Sequence, residues 1–263
     1  MDSLSIIITT CDSFSDLWSN NIFLLNKFWP NHPECFVVSD KNNDKGEMIF
    51  KNFAYFSSDY SFRLLNLLKT IKADYILLTL DDYLISSFVD VNRINDLVSF
   101  MKNNGLSYIR LYNRTKTKGW INKEKRIHLL PLKKDAYEVN LYPSLWRKDD
   151  LIKIITHDEN IWKFEVRLTR RCRENNYKCA WVSNKKVFEF VDTIRKGKYL
   201  RSAYRFLKKN DLYISSRGIR TAEETLHLSL RTLISRYTPD VIKRRIKRKR
   251  KNKYYSEFSE TDD

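Results

Sequence analysis

Residues 75–83, with the sequence YILLTLDDY, decide the fold of this protein. The apolar part is long enough for a strand and shows no polar alternation, which is typical of a strand buried on both faces of a mostly parallel sheet. Asp81 and Asp82 follow at its carboxyl end. Because open α/β sheets bind ligands beyond the carboxyl ends of their strands, the acidic pair is a candidate site.

Strands and helices alternate on both sides of this stretch. We predict strands at residues 5–10, 35–39, 52–57 and 107–111, and helices at residues 14–28, 62–71 and 91–101, where apolar residues recur at helical spacing. Gly105 is expected to end the last helix as a left-handed cap. This order of elements predicts an α/β fold with a doubly wound sheet.

The second half of the chain is less regular. Residues 127–132 and 136–141 fit a β-hairpin, residues 145–155 and 161–173 fit helices, and residues 177–182 fit a strand. From residue 199 onward the pattern is helical and basic.

The composition predicts a folded, basic protein. At 263 residues with 42% hydrophobic residues, the chain is long enough for one large domain, or for one domain with an appendage. The net charge is +17, and nine positive charges lie in the run KRRIKRKRKNK from Lys243 to Lys253. Such a run is typical of contact with nucleic acid or with an anionic membrane surface, and charge alone does not choose between them.

Two other classes of protein do not fit the sequence. The four cysteines and four histidines lack the spacing of a structural zinc site. No apolar stretch approaches the roughly 20 residues that span a bilayer, and the amino terminus lacks the pattern of a signal peptide. We therefore expect a cytoplasmic protein.

Acidic and hydroxyl side chains follow three of the predicted strands. Thr10 and Asp12 follow the first, Asp40 follows the second, and Asp81 and Asp82 follow the central one. Carboxylates in such positions bind a divalent cation together with phosphates, or bind the hydroxyl groups of a ribose. A single aspartate after a strand is more often a helix cap, but several at one sheet edge indicate a site.

This combination resembles a nucleotide-sugar glycosyltransferase of the GT-A fold, of the small bacterial type that builds capsule or lipopolysaccharide. The resemblance covers about residues 5–190. It implies a Rossmann-like, mixed and mostly parallel sheet flanked by helices, with a basic helical C-terminal extension. It also implies a catalytic domain at residues 1–195, with a nucleotide-binding half at 1–112 and an acceptor half at 113–195, and the extension at 196–263.

For the donor side, the resemblance implies that Asp82 binds Mg²⁺ or Mn²⁺ and thereby the diphosphate. Leu80 stands where the family's acidic triplet has its first acid, so Asp82 carries the metal assignment almost alone. The donor-binding residues implied are Thr10 and Asp12 by the base and ribose, Asp40 by the uridine, Asp81 and Asp82 at the diphosphate, and the cations Arg63 and Lys198.

For the acceptor side, the motif WKFE at residues 162–165 resembles the acceptor helix of these enzymes. Glu165 is implied as the general base, with Glu159 and Asp158 as substitutes, and Asp81 is grouped with it as a catalytic residue. The aromatic residues implied in stacking on acceptor sugars are Tyr142, Trp146 and Trp162. Each of these is also an ordinary core residue type.

The expected activity is transfer of a sugar from a UDP-sugar to a hydroxyl of a bacterial surface glycan or its lipid-linked precursor, with inversion. The partners expected are the sugar nucleotide, the glycan or glycolipid acceptor, and an anionic membrane surface bound through Lys243 to Lys253 on the inner face of the cell membrane. No specific nucleic acid is expected. Two alternatives remain at this point, a metal-dependent nucleic-acid-binding protein or nuclease, and an inactive GT-A-like scaffold.

Overall fold

The secondary structure alternates between strands and helices through most of the chain. The computed structural model describes residues 3–56, 59–112, 120–133, 136–156, 158–183 and 187–225. The helices are α1 (Trp18–Phe28), α2 (Asp44–Ile49), α3 (Tyr60–Thr70), α4 (Val91–Asn104), α5 (Lys148–Ile154), α6 (Ile161–Glu174) and α7 (Arg201–Lys209), and Asp12–Leu17 forms a 3₁₀ helix. The strands are β1 (Leu4–Thr9), β2 (Cys35–Ser39), β3 (Phe53–Tyr55), β4 (Tyr75–Leu80), β5 (Tyr83–Ile85), β6 (Leu106–Arg110), β7 (Trp120–Asn122), β8 (Ile127–Leu129), β9 (Ser144–Arg147), β10 (Lys178–Val182), β11 (Phe190–Asp192), β12 (Ile194–Arg195) and β13 (Lys198–Tyr199).

Nine of these strands form one mixed sheet in the order β3-β2-β1-β4-β9-β6-β10-β8-β7. The strands β3, β2, β1 and β4 are parallel to one another, and β6 is parallel to β10. Between these two groups, β9 pairs antiparallel with both β4 and β6. The expectation of a mixed, mostly parallel sheet flanked by helices is confirmed.

Helices cover both faces of the sheet. On one face, Leu64 and Leu68 of α3 pack in the same core as Phe164 and Leu168 of α6. On the other face, apolar residues of α1 and α4 pack together, among them Trp18, Leu25, Ile94 and Leu97. Both pairs of helices place apolar residues three or four positions apart, which is why each helix has one buried stripe. The central strand β4 is covered on both sides, as its unbroken apolar sequence predicted.

Local signals fix several boundaries. Asp90 accepts a hydrogen bond from the Arg93 backbone N–H at 2.9 Å and caps the start of α4. At the other end, Gly105 has φ of 63° in the left-handed region, which confirms the predicted cap.

Two predictions for the second half are wrong. Residues 145–155 are not a single helix, because Leu145 and Trp146 lie in β9 and the helix α5 begins only at Lys148. The predicted hairpin of residues 127–132 with 136–141 does not form, because β8 pairs with β7 and β10 instead. Both errors concern strands whose partners are distant in sequence.

The chain after residue 195 packs against the amino-terminal part of the protein as far as the structure describes it. Tyr199 and Leu207 are buried in a third core cluster with Leu17 and Leu24 of the amino-terminal region. The helical and basic character predicted there is present in α7, which carries arginine and lysine but no acidic residue. The domain boundary at 195 and 196 stays a prediction. Within the described residues, no helix is long and apolar enough to cross a bilayer.

Candidate active site

A cleft of about 560 Å³ opens at the carboxyl ends of β1 and β4. Its size lies within the usual range for a small-molecule site. Six residues predicted from the sequence as donor, acceptor or catalytic residues line it together: Thr10, Asp40, Arg63, Asp81, Asp82 and Trp162. The sheet edge, α3 and the start of α6 therefore bring donor and acceptor candidates to one place.

A chain of hydrogen bonds holds Asp81 at the floor of the cleft. The Thr10 hydroxyl donates to Asp81 Oδ2, and the Trp18 indole N–H donates to Thr10 Oγ1 at 2.8 Å. Asn21 Nδ2 donates to the Asp81 carbonyl at 3.0 Å. Thr10 thus holds the side chain of Asp81, while Trp18 and Asn21 of α1 hold Thr10 and the Asp81 backbone.

Asp81 is buried and Asp82 is half-buried, and burial disfavours the charged form of both carboxylates. Burial raises the pKa of Asp81 to about 7, although the hydrogen bond from Thr10 opposes the shift. Burial also raises the pKa of Asp82 well above its ordinary value, and the neighbouring charges of Asp81 and Asp192 add to the effect. Two adjacent carboxylates that resist ionisation are a feature of sites built to receive a positive charge.

The oxygen Oδ1 of Asp82 is buried and has no hydrogen-bond partner among the described residues. The Asp82 backbone is held in place, because its carbonyl accepts from the Thr193 N–H at 2.9 Å and from Thr193 Oγ1 at 2.8 Å. In the part of the chain that the structure describes, no three acidic, histidine or cysteine side chains form a complete metal site. Mg²⁺ and Mn²⁺ nevertheless fit one or two carboxylates, because phosphate oxygens and waters supply the remaining ligands.

Unfolding measurements at different pH check this account of the acidic pair. A raised pKa in the folded state means that Asp81 stabilises the fold below its ordinary pKa of 3.8, and that this contribution is lost as the pH rises to about 7. Urea unfolding in the presence of a chelator should therefore show the free energy of unfolding falling across this interval. Asp81→Asn should make the free energy of unfolding depend less steeply on pH. Asp149→Asn, at an exposed carboxylate, should leave this pH dependence unchanged. Equal slopes for Asp81→Asn and the wild type would contradict the raised pKa.

Asp40 lines the cleft, and Asp12 lies beside it. The Asp12 backbone N–H donates to Asp40 Oδ1 at 2.7 Å, and Asn43 Nδ2 donates to Asp12 Oδ1 at 2.5 Å. Asn43 also caps α2 by accepting from the Lys45 N–H at 3.0 Å. Asp40 therefore fixes the loop after β1, and Asp12 lies close to the cleft although it is not among its lining residues.

The acceptor candidates Trp162 and Glu165 lie in the first turns of α6. Trp162 lines the cleft and is 67% exposed, so its indole face is free to contact a ligand. Glu165 Oε1 accepts from the Leu141 N–H at 3.2 Å. Burial raises the pKa of the Tyr83 phenol, and the charges of Asp82 and Glu165 raise it further. Both carboxylates therefore lie within electrostatic reach of one side chain.

Glu159, the first substitute for the general base, is a structural residue. Its side chain is buried, and its two oxygens accept hydrogen bonds of 2.6 Å from Arg171 and one of 2.7 Å from Arg167. Burial alone would raise the pKa of Glu159, but these arginines outweigh it and hold the pKa below its ordinary value. Such a carboxylate is a poor proton acceptor, so the assignment of Glu159 as an alternative general base is wrong. Asp158, the second substitute, is exposed.

Trp146 does not bind an acceptor sugar. Its side chain has 0% exposure in β9 and packs edge-on against Tyr108 with ring centroids 4.7 Å apart. An indole without accessible surface has no face on which a sugar could stack. Trp146 is a core residue, which corrects its assignment from the sequence.

Tyr142 belongs to a half-buried aromatic cluster next to the acidic pair. Its ring lies 5.2 Å from Tyr83 and 5.6 Å from Tyr112, measured between centroids. Lys198 is not among the cleft-lining residues, and its Nζ pairs with Glu224 at 3.0 Å. Tyr142 as an acceptor contact and Lys198 as a donor contact stay predictions.

The sequence interpretation missed Trp18, Asn21 and Asn43 as supporting residues of the site. Trp18 lies in the helix predicted at residues 14–28, and nothing in the sequence indicates that its N–H donates to Thr10. Asn43 had a local signal, because asparagine before a short helix is a common N-cap. The contact of Asn21 with Asp81 joins residues 60 positions apart and had no such signal.

No model of a known protein family matches this chain, and no curated protein matches its sequence. Several solved structures resemble it. S. aureus TarS 1–349 in complex with UDP-GlcNAc has 15% identity and a TM-score of 0.48, covering 84% of this chain and 69% of that one. The mannosyltransferase PcManGT from Pyrobaculum calidifontis in complex with GDP-Man and Mn²⁺ has 11% identity and a TM-score of 0.49, covering 74% and 58%. The bifunctional IspDF from Campylobacter jejuni has 14% identity and a TM-score of 0.42, covering 72% and 52%.

This chain spans 60% of another TarS 1–349 structure and 41% of a longer TarS structure. Such low identities concern the fold alone. The chemistry of the cleft has to carry any functional assignment.

Proposed function

We propose that this protein is a glycosyltransferase that transfers a sugar from a nucleoside diphosphate sugar, with UDP as the nucleotide, to a hydroxyl group of a glycan. The observation that carries the proposal is that buried Asp81, half-buried Asp82, Arg63 and the exposed Trp162 line the same cleft. Such a donor requires acidic ligands for a cation, positive charge beside the diphosphate and an apolar ring surface for the sugar.

On the donor side, the proposed role of Asp82 is to bind Mg²⁺ or Mn²⁺ through its unpartnered Oδ1. Once bound, such an ion stabilises the negative charge that develops on the departing diphosphate. Arg63 adds positive charge to the same cleft from α3. Asp81, held by Thr10, keeps the end of β4 in place, and a bound cation would favour its ionised form.

On the acceptor side, Glu165 is proposed to remove the proton from the attacking hydroxyl. A general base on the side opposite the leaving group leads to inversion at the sugar carbon. Trp162 is proposed to pack against the apolar face of a sugar ring. In support of these roles, Trp162 lines the cleft at the start of α6, and Glu165 follows three residues later on the same helix, although it is not among the lining residues.

A bacterial surface glycan or its lipid-linked precursor is the proposed acceptor, and the basic run from Lys243 to Lys253 is proposed to bind the anionic inner surface of the membrane. This run lies outside the described residues. Sedimentation with vesicles should show binding to anionic vesicles and little binding to zwitterionic ones, and weaker binding when the salt concentration rises. Equal binding to both vesicle types would count against the membrane role.

Binding of UDP in the presence of Mn²⁺ tests the donor site directly. A ligand that binds only the folded state raises the melting temperature, so UDP with Mn²⁺ should stabilise the wild-type protein. The control is an oligonucleotide at the same phosphate concentration. Stabilisation by the oligonucleotide and not by UDP would overturn the proposal and favour the nucleic-acid alternative.

A donor screen then separates an active enzyme from an inactive scaffold. Hydrolysis or transfer should be detected with at least one sugar nucleotide, and UDP-GlcNAc and GDP-mannose are suitable first candidates. A protein that binds UDP but neither hydrolyses nor transfers any donor would be an inactive scaffold.

A further inference from the structure

Residues 211–220, which we call the return segment, lie against the region that follows β1. The Tyr213 backbone N–H donates to Asn20 Oδ1 at 3.0 Å, and Asn20 Nδ2 donates to the Tyr213 carbonyl at 2.7 Å. This reciprocal pair joins parts of the chain that are 193 residues apart. The return segment therefore forms part of the folded body beside the amino-terminal half.

The centre of this contact is the carboxylate of Asp16. It accepts from Arg217 Nε and Arg217 Nη2, both at 2.7 Å, and from Ser215 Oγ at 2.6 Å. Burial alone would raise the pKa of Asp16, but these hydrogen bonds outweigh it and hold the pKa below its ordinary value. A bidentate arginine–carboxylate contact fixes the relative orientation of the two groups as well as the distance between them. A lysine cannot reproduce this geometry.

Arg217 also touches the wall of the cleft from behind. Its Nη2 donates to the Ser13 carbonyl, and its guanidinium lies 4.8 Å from the centroid of the Phe14 ring. Ser13 and Phe14 line the cleft, whereas Arg217 is not among the lining residues. One guanidinium thus supports two neighbouring residues of the cleft wall.

This part of the wall needs such support, because it lies in a short 3₁₀ helix. The residue before that helix, Cys11, makes no side-chain capping hydrogen bond. Hydrogen bonds in 3₁₀ helices have poorer geometry than those in α-helices, so a six-residue segment of this kind gains stability from outside contacts. Asp16 and Arg217 supply those contacts on the side away from the cleft.

We propose that Arg217 and Asp16 are positioning residues that hold Phe14 and Ser13 in place as the surface on which the planar base of the bound nucleotide packs. This inference rests on the proposed function, because it takes the cleft to be the donor site. Arg217 acts through Phe14 and does not itself touch the ligand. Aromatic rings stack well on planar bases, and a ring held in one orientation loses less entropy on binding.

Affinity for UDP with Mn²⁺, measured by calorimetry, tests the inference. Arg217→Ala should raise the Kd of UDP about tenfold, a typical coupling between residues in contact. The donor KM should rise with it while kcat stays within about twofold, as expected for a residue that affects binding and not the chemical step. Arg217→Lys keeps the positive charge but loses the bidentate contact, so its Kd for UDP should lie between those of Arg217→Ala and the wild type.

A double-mutant cycle shows whether Arg217 acts through Phe14. In a Phe14→Ala background, Arg217→Ala should change the UDP affinity by less than about twofold, because the ring that it positions is gone. Arg170→Ala, at an exposed ion pair on α6, is the matched control and should leave the UDP affinity unchanged. Melting temperatures of all variants identify any loss of affinity that is caused by unfolding.

The two proposals fail in different ways. If the wild type does not bind UDP, the proposed donor site is wrong. If the wild type binds UDP and Arg217→Ala binds it equally well, or if the effect of Arg217→Ala is the same with and without Phe14, the positioning role is wrong.

Discussion

Asp82→Asn is expected to lower kcat/KM for sugar transfer at least about 100-fold, a magnitude typical for loss of one group that stabilises developing charge. The physical reason is that Asp82 Oδ1 has no hydrogen-bond partner among the described residues, and the proposed function assigns this oxygen to a cation. Asparagine has nearly the same shape but no negative charge. Enzyme kinetics and Mn²⁺ titration of the variant measure both consequences.

Stability separates a catalytic effect of Asp82→Asn from a structural one. Burial and the charges of Asp81 and Asp192 already disfavour an ionised Asp82, so the neutral variant should be as stable as the wild type or more so at neutral pH. Asp149→Asn changes the same charge at an exposed position and should leave activity unchanged. Full activity and unchanged Mn²⁺ affinity in Asp82→Asn would contradict the assignment of Asp82 as metal ligand.

Glu165→Gln is expected to lower kcat by about 10²- to 10⁴-fold, the usual contribution of a general base. The glutamine keeps an oxygen that can accept the hydrogen bond from the Leu141 N–H, so the local structure should persist. UDP affinity should not change, because Glu165 is assigned to the acceptor side. Single-turnover kinetics with saturating donor measure the chemical step directly. A variant with wild-type kcat would show that another group accepts the proton.

Glu159→Gln is the informative comparison, because it makes the same chemical change six residues away. Glu159 is buried and paired with Arg167 and Arg171, so loss of its charge leaves an arginine partly buried without its partner. This variant should lower the melting temperature while its remaining folded molecules keep their kcat. The opposite pattern, a stable protein with no activity, would assign the base to Glu159.

The sequence predicted those parts of the fold that depend on local signals. The β4 strand has an unbroken apolar run, and α4 has a glycine at the position that needs positive φ, so both were placed correctly. Strand β9 was missed because Leu145 and Trp146 continue directly into the helical pattern of α5. Its identity as a strand comes from pairing with β4 and β6, which no local pattern reveals.

The site was predictable where it follows the sheet edge and unpredictable where it depends on packing. Thr10, Asp40, Asp81 and Asp82 follow strands, and parallel strands bring their carboxyl ends together. A tryptophan in a sequence does not show whether it is buried, so Trp146 and Trp162 received the same assignment although one is in the core and the other is exposed.

The antiparallel direction of β9 affects how this protein can change during evolution. Because β6 ends and β9 begins at the ligand edge, the intervening chain leaves and re-enters the sheet at the same place, where the Leu111 N–H donates to the Pro143 carbonyl at 3.0 Å. The cost of closing such a loop grows only slowly with its length. The chain between Leu111 and Pro143 is not free to vary throughout, because Leu130, Leu132, Val139 and Leu141 are buried in the same core as residues of α3 and α6. Sequence changes that keep these four apolar side chains are the ones that the fold should tolerate best.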